Sequence, residues 1–222
     1  MGRVTYIFIA SLVIFLAYGF KQLSKLDLAY PEVGYSIDQF VNSLGYSFEY
    51  HSVTTKDGYI LELHRIRSES SKSTPKKPPI LLMHGLVCSS FSYLTSGEKS
   101  LPYYLAKNGF DVWLGNARGN AFSRKHIAID PDVNPKQFFD FSWHEIGSID
   151  LPTIIDYILT QTKHKKLYYA GHSQGSVSFY VMMNEHPEYN EKVEVMLALA
   201  PVVHTKEIKS WAFNIPARLQ GF

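Results

Sequence analysis

Two hydrophobic rhythms succeed each other along the chain. Ser47 to Thr54 alternates and is rich in aromatic and β-branched residues; Asp57-Gly58 follows, and Tyr59 to Ile66 resumes the alternation. That pattern predicts a β-hairpin closed by a tight Asp-Gly turn. After a Ser/Lys/Pro stretch, Ser68 to Pro79, which reads as an exposed loop, the rhythm changes. Short apolar runs now alternate with helical segments. Ile80 to Met83, Phe110 to Leu114, Lys166 to Ala170 and Val193 to Leu199 read as buried strands. Leu101 to Lys107, closed by Asn108-Gly109, and Gln174 to Asn184 read as helices. Ser142 and Glu145 have capping-box spacing, and Leu151, Ile154, Ile155, Ile158 and Leu159 share one face of the helix they open. Strands alternating with helices predict an α/β protein with a mostly parallel, doubly wound sheet. Ligands in such sheets bind beyond the carboxyl ends of the strands. The rule directs attention to His84-Gly85, Gly115-Asn116, Ser173 and the segment after Ala200.

The chain has 222 residues, room for one domain or slightly more. It is 45% hydrophobic and 19% charged, which excludes disorder as a description of the whole. A formal net charge of +2 offers no basic field for nucleic acid. The densest basic group, Lys72, Lys76 and Lys77, falls in the Ser/Pro loop. Cys88 is the single cysteine, so an intrachain disulfide and a cysteine-rich metal site are both excluded, and a buried inert thiol is expected. Val4 to Phe20 carries no charge. It is short for a membrane-spanning helix, and Ala17-Tyr18-Gly19 suits signal cleavage. A signal peptide over 1–19 is the preferred reading; a signal anchor over 4–20 is the alternative, which would make the chain a membrane-anchored protein. No Asn-x-Ser/Thr sequon occurs.

Gly171-His172-Ser173-Gln174-Gly175 matches G-x-S-x-G, with a predicted strand before it and a predicted helix after it. In that context the serine sits in a strained strand-to-helix turn, and Gly171 and Gly175 leave room for neighbouring backbone. The hydroxyl is pushed out at a helix N-terminus, whose dipole favours developing negative charge. The competing reading is a tight turn with a helix-capping serine. Leu86, in the loop after Ile80 to Met83, and Gln174, directly after the serine, are the candidate oxyanion-hole donors through their backbone N–H groups. His84 reads as a structural hydrogen-bonding residue, and Arg118 and Asn120 as residues that fix their own loop. Trp113 and Trp143 read as core.

The chain resembles the acid lipases, the gastric and lysosomal α/β-hydrolases with their insect relatives. The matching stretches are Pro31 to Val33, Thr55 to Leu61, His84 to Leu86, Asp111 to Asn120, Asp150 to Pro152, Gly171 to Gly175 and Ala198 to Pro201. The resemblance runs from about Leu26 to His204. It implies the N-terminal portion of an α/β-hydrolase fold over 20–204, with a lid region starting over 205–222. It implies hydrolysis of neutral lipid esters, acylglycerols or sterol esters, at a lipid–water interface. Ser173 would be the nucleophile, with no metal or organic cofactor, in a secreted or lysosomal protein.

Two departures stand out. His144 occupies a position where the family usually carries an acidic residue, which reads as a surface change. The larger departure concerns the triad, whose order in this fold is Ser, then Asp or Glu, then His. No Asp follows Ser173, and the later histidines are His186 and His204. The expectation is therefore a truncated chain lacking the family's acid and histidine, with an exposed sheet edge. His204 is the possible substitute base; His186, before Pro187, reads as a helix-end residue. The alternative function is a non-catalytic lipid-binding or membrane-attached relative.

Overall fold

A computed structural model describes residues 36–68 and 77–203. The chain divides into two compact units, 1–40 and 41–222. Of the first, only residues 36–40 are described; they begin helix α1 (Ile37–Ser43). The second unit carries everything that follows. The expected signal segment, the body of the Ser/Lys/Pro loop, the lid region and His204 lie outside the described residues.

Strands β1 (Tyr46–Thr54) and β2 (Tyr59–Ser68) form the predicted hairpin, paired from Tyr46↔Ser68 to Thr54↔Ile60. Its turn is one residue longer than the expected Asp-Gly pair. The Thr55 amide donates to the Tyr59 carbonyl at 2.8 Å and the Gly58 amide to the Thr55 carbonyl at 3.0 Å, leaving Lys56, Asp57 and Gly58 as the loop. Gly58 has φ +99°, and a Cβ there would meet the His126 ring at 2.7 Å. Both facts require glycine.

The remaining elements are β3 (Pro79–Met83), α2 (Leu101–Lys107), β4 (Asp111–Gly115), β5 (Lys125–His126), α3 (Pro135–Phe138), α4 (Trp143–Glu145), α5 (Leu151–Thr162), β6 (Leu167–His172), α6 (Gln174–Glu185) and β7 (Val193–Leu199). The seven strands form one sheet in the order β1-β2-β4-β3-β6-β7, with β5 also on β2. The pairs β3/β4, β3/β6 and β6/β7 are parallel, while β2 runs antiparallel to β1, β4 and β5. Every residue of β3 and β4 is buried, so helices and loops cover the central strands on both faces. The core gathers Leu61 and Leu63 of β2, Leu81 and Met83 of β3, Trp113 of β4, Tyr169 of β6 and the α5 stripe Leu151, Ile154, Ile155 and Ile158.

Between α4 and α5 the helix passes through one π-helical stretch, Ile146–Asp150. The capping box is formed as expected, Ser142 with Glu145. Trp143 departs from expectation: it is 54% exposed rather than core. Cys88 is half-buried rather than buried, because its turn lies at the surface. Strand β7 ends the sheet: among the described residues it pairs with β6 alone, and Val195, Leu197 and Leu199 are exposed. No helix among the described residues is long and apolar enough to cross a membrane.

Candidate active site

Strand β6 runs into the turn at Ser173, and α6 starts at the next residue. Ser173 has φ 51° and ψ −111°, a conformation L-residues rarely occupy, and its side chain does not cap the helix. A helix-capping role is thereby removed. The geometry around it is tight. A Cβ on Gly171 would stand 2.6 Å from the Gly175 carbonyl carbon, and one on Gly175 would stand 2.5 Å from the Met83 carbonyl oxygen. The two glycines let β6, the first turn of α6 and the end of β3 close on one another. Hydrogen bonds lock the elbow: the Ser176 hydroxyl donates to the Gly171 carbonyl and the Tyr169 hydroxyl to the Gly175 carbonyl, both at 2.6 Å. The Ser173 amide donates to the Leu199 carbonyl of β7 at 2.9 Å.

The loop after β3 lies against this elbow. A Cβ built on Gly85 would be 3.3 Å from the Ser173 Cβ and 3.0 Å from His172 Nδ1. Gly85 to Cys88 forms a turn in which the Cys88 amide donates to the Gly85 carbonyl at 3.3 Å. At its tip Val87 has φ 57° and is 96% exposed, and Leu86 is 53% exposed. Ala200, after β7, also has positive φ, at 47°. Three strained non-glycine residues thus gather at the carboxyl ends of β3, β6 and β7, the region the strand pattern singled out.

His84 is buried in this loop. Its Nδ1–H donates to the Gly85 carbonyl at 2.8 Å, and its Nε2 accepts from the Ala117 amide at 3.1 Å. That pairing requires a neutral ring, and burial lowers the His84 pKa accordingly. His84 is therefore a structural residue, as expected.

The loop after β4 is held by a buried charge cluster. Arg118 Nε and Nη2 donate to Asp150 Oδ1 at 2.9 and 2.7 Å, and Nη1 donates to Asp57 Oδ2 at 2.6 Å. The guanidinium also lies 4.1 Å from the Tyr59 ring centroid. Burial pushes Asp150 up to about 6 against the pull of Arg118. Asp57 goes the other way: burial raises it, but hydrogen bonds from Arg118 and Thr55 prevail and hold it below the usual carboxylate range. Asp150 is the last residue of the π stretch, directly before α5. Asp150 and Asp57 were not legible as partners of Arg118 in the sequence, because the three are brought together from different loops.

His186 caps the far end of α6, with Nε2–H on the Ser148 carbonyl at 2.9 Å. Twelve residues of α6 separate it from Ser173, about 18 Å at 1.5 Å per residue. His186 is not brought to the nucleophile. Glu194 lies at the opposite end of β7 from the elbow, 3.5 Å from Lys166. Among the described residues no cluster of His, Cys, Asp and Glu is placed to hold a metal ion.

Comparison with known proteins agrees with this architecture. A family model described as "alpha/beta hydrolase fold" matches residues 78–222, and one described as "Partial alpha/beta-hydrolase lipase region" matches 37–97. The chain belongs to the α/β-hydrolase fold family. Its curated relatives are lipases. Lipase 1 of Drosophila melanogaster is 53% identical over 78% of this chain and 38% of its own length. Human lipase member K is 40% identical over 87% of this chain and 48% of its own, and bovine gastric triacylglycerol lipase 40% over 86% and 48%. The chain thus spans about half the length of the curated relatives it matches, or less. Among solved structures, an esterase from Pyrococcus furiosus, Pf2001, superposes with a TM-score of 0.54 at 14% identity, over 80% of this chain and 66% of that one. That likeness concerns the α/β-hydrolase fold alone.

Proposed function

We propose that the chain acts as a serine ester hydrolase on neutral lipid esters, acylglycerols or sterol esters, at a lipid–water interface. Ser173 Oγ attacks the ester carbonyl carbon. A histidine accepts its proton; within this sequence His204 is the candidate. The backbone N–H groups of Leu86 and Gln174 receive the negative charge that forms on the carbonyl oxygen. The proton passes to the departing alkoxide, leaving an acyl-enzyme on Ser173. Water then hydrolyses it and restores the serine. Such a reaction needs no metal or organic cofactor. The observation that carries the reading is the strained conformation of Ser173 between two glycines that admit no side chain. The lipase relatives support the substrate class, and gastric lipase among them supports passage through the secretory route, with residues 1–19 as the signal.

The test is covalent labelling with a fluorophosphonate ester. The intact 222-residue chain is expected to label and Ser173→Ala to stay unlabelled. A folded chain that never labels would favour the non-catalytic lipid-binding relative. Labelling that persists in Ser173→Ala would remove Ser173 as nucleophile.

A further inference from the structure

The turn that bears Leu86 is tied down at both ends, and both ties lead to the same pair of asparagines. At its start stands His84, whose Nε2 accepts from Asn120 Nδ2 at 3.0 Å as well as from the Ala117 amide. At its end stands Ser90, fully buried, whose amide donates to Asn116 Oδ1 at 2.9 Å. Asn120 Nδ2 also donates to that same Asn116 Oδ1 at 2.9 Å. The amide orientations are dictated by backbone donors. Asn120 Oδ1 accepts from the Phe122 and Ser123 amides at 3.0 and 2.9 Å, so its Nδ2 must face His84 and Asn116. Asn116 Oδ1 faces the Ser90 amide, so its Nδ2 donates to the Glu62 carbonyl at 3.1 Å. Every hydrogen-bonding position of the Asn120 amide is used: two donors and two acceptor lone pairs.

The network continues beneath the turn. The Ser90 hydroxyl lies 2.8 Å from His64 Nδ1, and His64 Nε2 lies 2.7 Å from Glu62 Oε1. Ser90 is buried, so this Ser–His–Glu row meets no substrate. It anchors Ser90 from the β2 side.

We propose that Asn120, acting with Asn116, is a positioning residue for the oxyanion turn: it holds His84 in the Nδ1–H tautomer and Ser90 at a set distance, and so fixes the backbone of Gly85 to Val87 against Ser173. The proposal rests on the reading of Leu86 as an oxyanion donor. The physical need is clear. Oxyanion donors act only when their N–H groups already point to where charge will appear, and a misplacement of about 1 Å costs on the order of a hundredfold in rate. A turn whose tip residues are exposed, with a β-branched residue at positive φ, has little of its own to hold it. A fully satisfied polar network supplies that rigidity. His84 passes the constraint on, because its Nδ1–H grips the Gly85 carbonyl, which also closes the turn.

The test combines imidazole and amide NMR on the 15N-labelled full chain with the isosteric substitution Asn120→Asp. The unmutated chain is expected to show His84 as the neutral Nδ1–H tautomer at pH 7. In Asn120→Asp both donors become acceptors, and a carboxylate faces Nε2. His84 should then take a proton on Nε2 and titrate at higher pH. The Ala117 and Ser90 amides should exchange roughly tenfold faster, as expected for loss of a hydrogen bond, and the Leu86 amide resonance should move with them. An Nε2–H tautomer in the unmutated chain overturns the proposal, even if the variant does not fold. So does a folded variant with His84, Leu86 and Ser90 unchanged. These readouts need no turnover: a chain that fails to label at Ser173 while its network reads as expected would sink the proposed function, and the oxyanion role with it, whereas a labelling chain with an Nε2–H His84 would overturn the Asn120 assignment alone.

Discussion

At the scale of single residues, Ser173 shows what the elbow demands. Its φ of 51° with ψ −111° stores backbone strain of about 1–3 kcal/mol, since only glycine enters that region without cost. Ser173→Gly should therefore raise the denaturation midpoint, while Ser173→Ala, which keeps a Cβ, should leave it near the starting value. Urea unfolding of the three chains checks this. Equal midpoints for Gly and Ala would mean that the turn is not strained. The pentapeptide was legible in the sequence because its glycines are dictated by local contact. The orientation of His84 was not, since its partners Ala117 and Asn120 come from another loop.

At the scale of elements, the Arg118 cluster joins three segments of the chain. Asp150 closes the π stretch before α5, and Arg118, bound to it, ties the hairpin loop, through Asp57, to the helix. Arg118→Met should cost about 3–5 kcal/mol, because it leaves a carboxylate buried without its partner. The penalty should depend on pH with a definite sign. Burial already raises Asp150 to about 6 with Arg118 present, so the fold takes up this proton more readily than the unfolded chain does. Its contribution is then largest below the unfolded value of about 3.8 and is lost as pH rises through about 6. Without Arg118 the carboxyl pKa rises further, so the variant's deficit should shrink between pH 7 and pH 5. Urea unfolding at the two pH values measures it; a deficit that grows on acidification would contradict the assignment. Periodicity revealed the helix stripe and local spacing the capping box, but neither showed that Trp143, expected in the core beside that box, stands at the surface.

At the scale of the whole molecule, the sheet runs from the hairpin strand β1 at one end to β7 at the other among the described residues. Val195, Leu197 and Leu199 expose apolar surface on a strand whose outer edge, among the described residues, has no hydrogen-bonded neighbour. Such an edge invites association. Leu197→Lys should lower concentration-dependent association, seen by sedimentation velocity, with an unfolding midpoint unchanged within about 0.5 kcal/mol. Association that is insensitive to this substitution would place the sticky surface elsewhere.

What the sequence determined by itself was everything governed by short-range chemistry: alternation for the strands, a capping box for α4, Asn108-Gly109 to stop α2, and a G-x-S-x-G turn between β6 and α6. Each depends on residues within a few positions of one another, so a linear reading suffices. Tertiary structure decided which separate loops meet. It alone brought the turn after β3 against Ser173, Asp57 and Asp150 onto Arg118, and Asn116 and Asn120 under both ends of the turn bearing Leu86. Those contacts arise because parallel strands β3, β4 and β6 end on the same edge of one sheet, and no periodicity along the chain encodes which loops that edge will bring together.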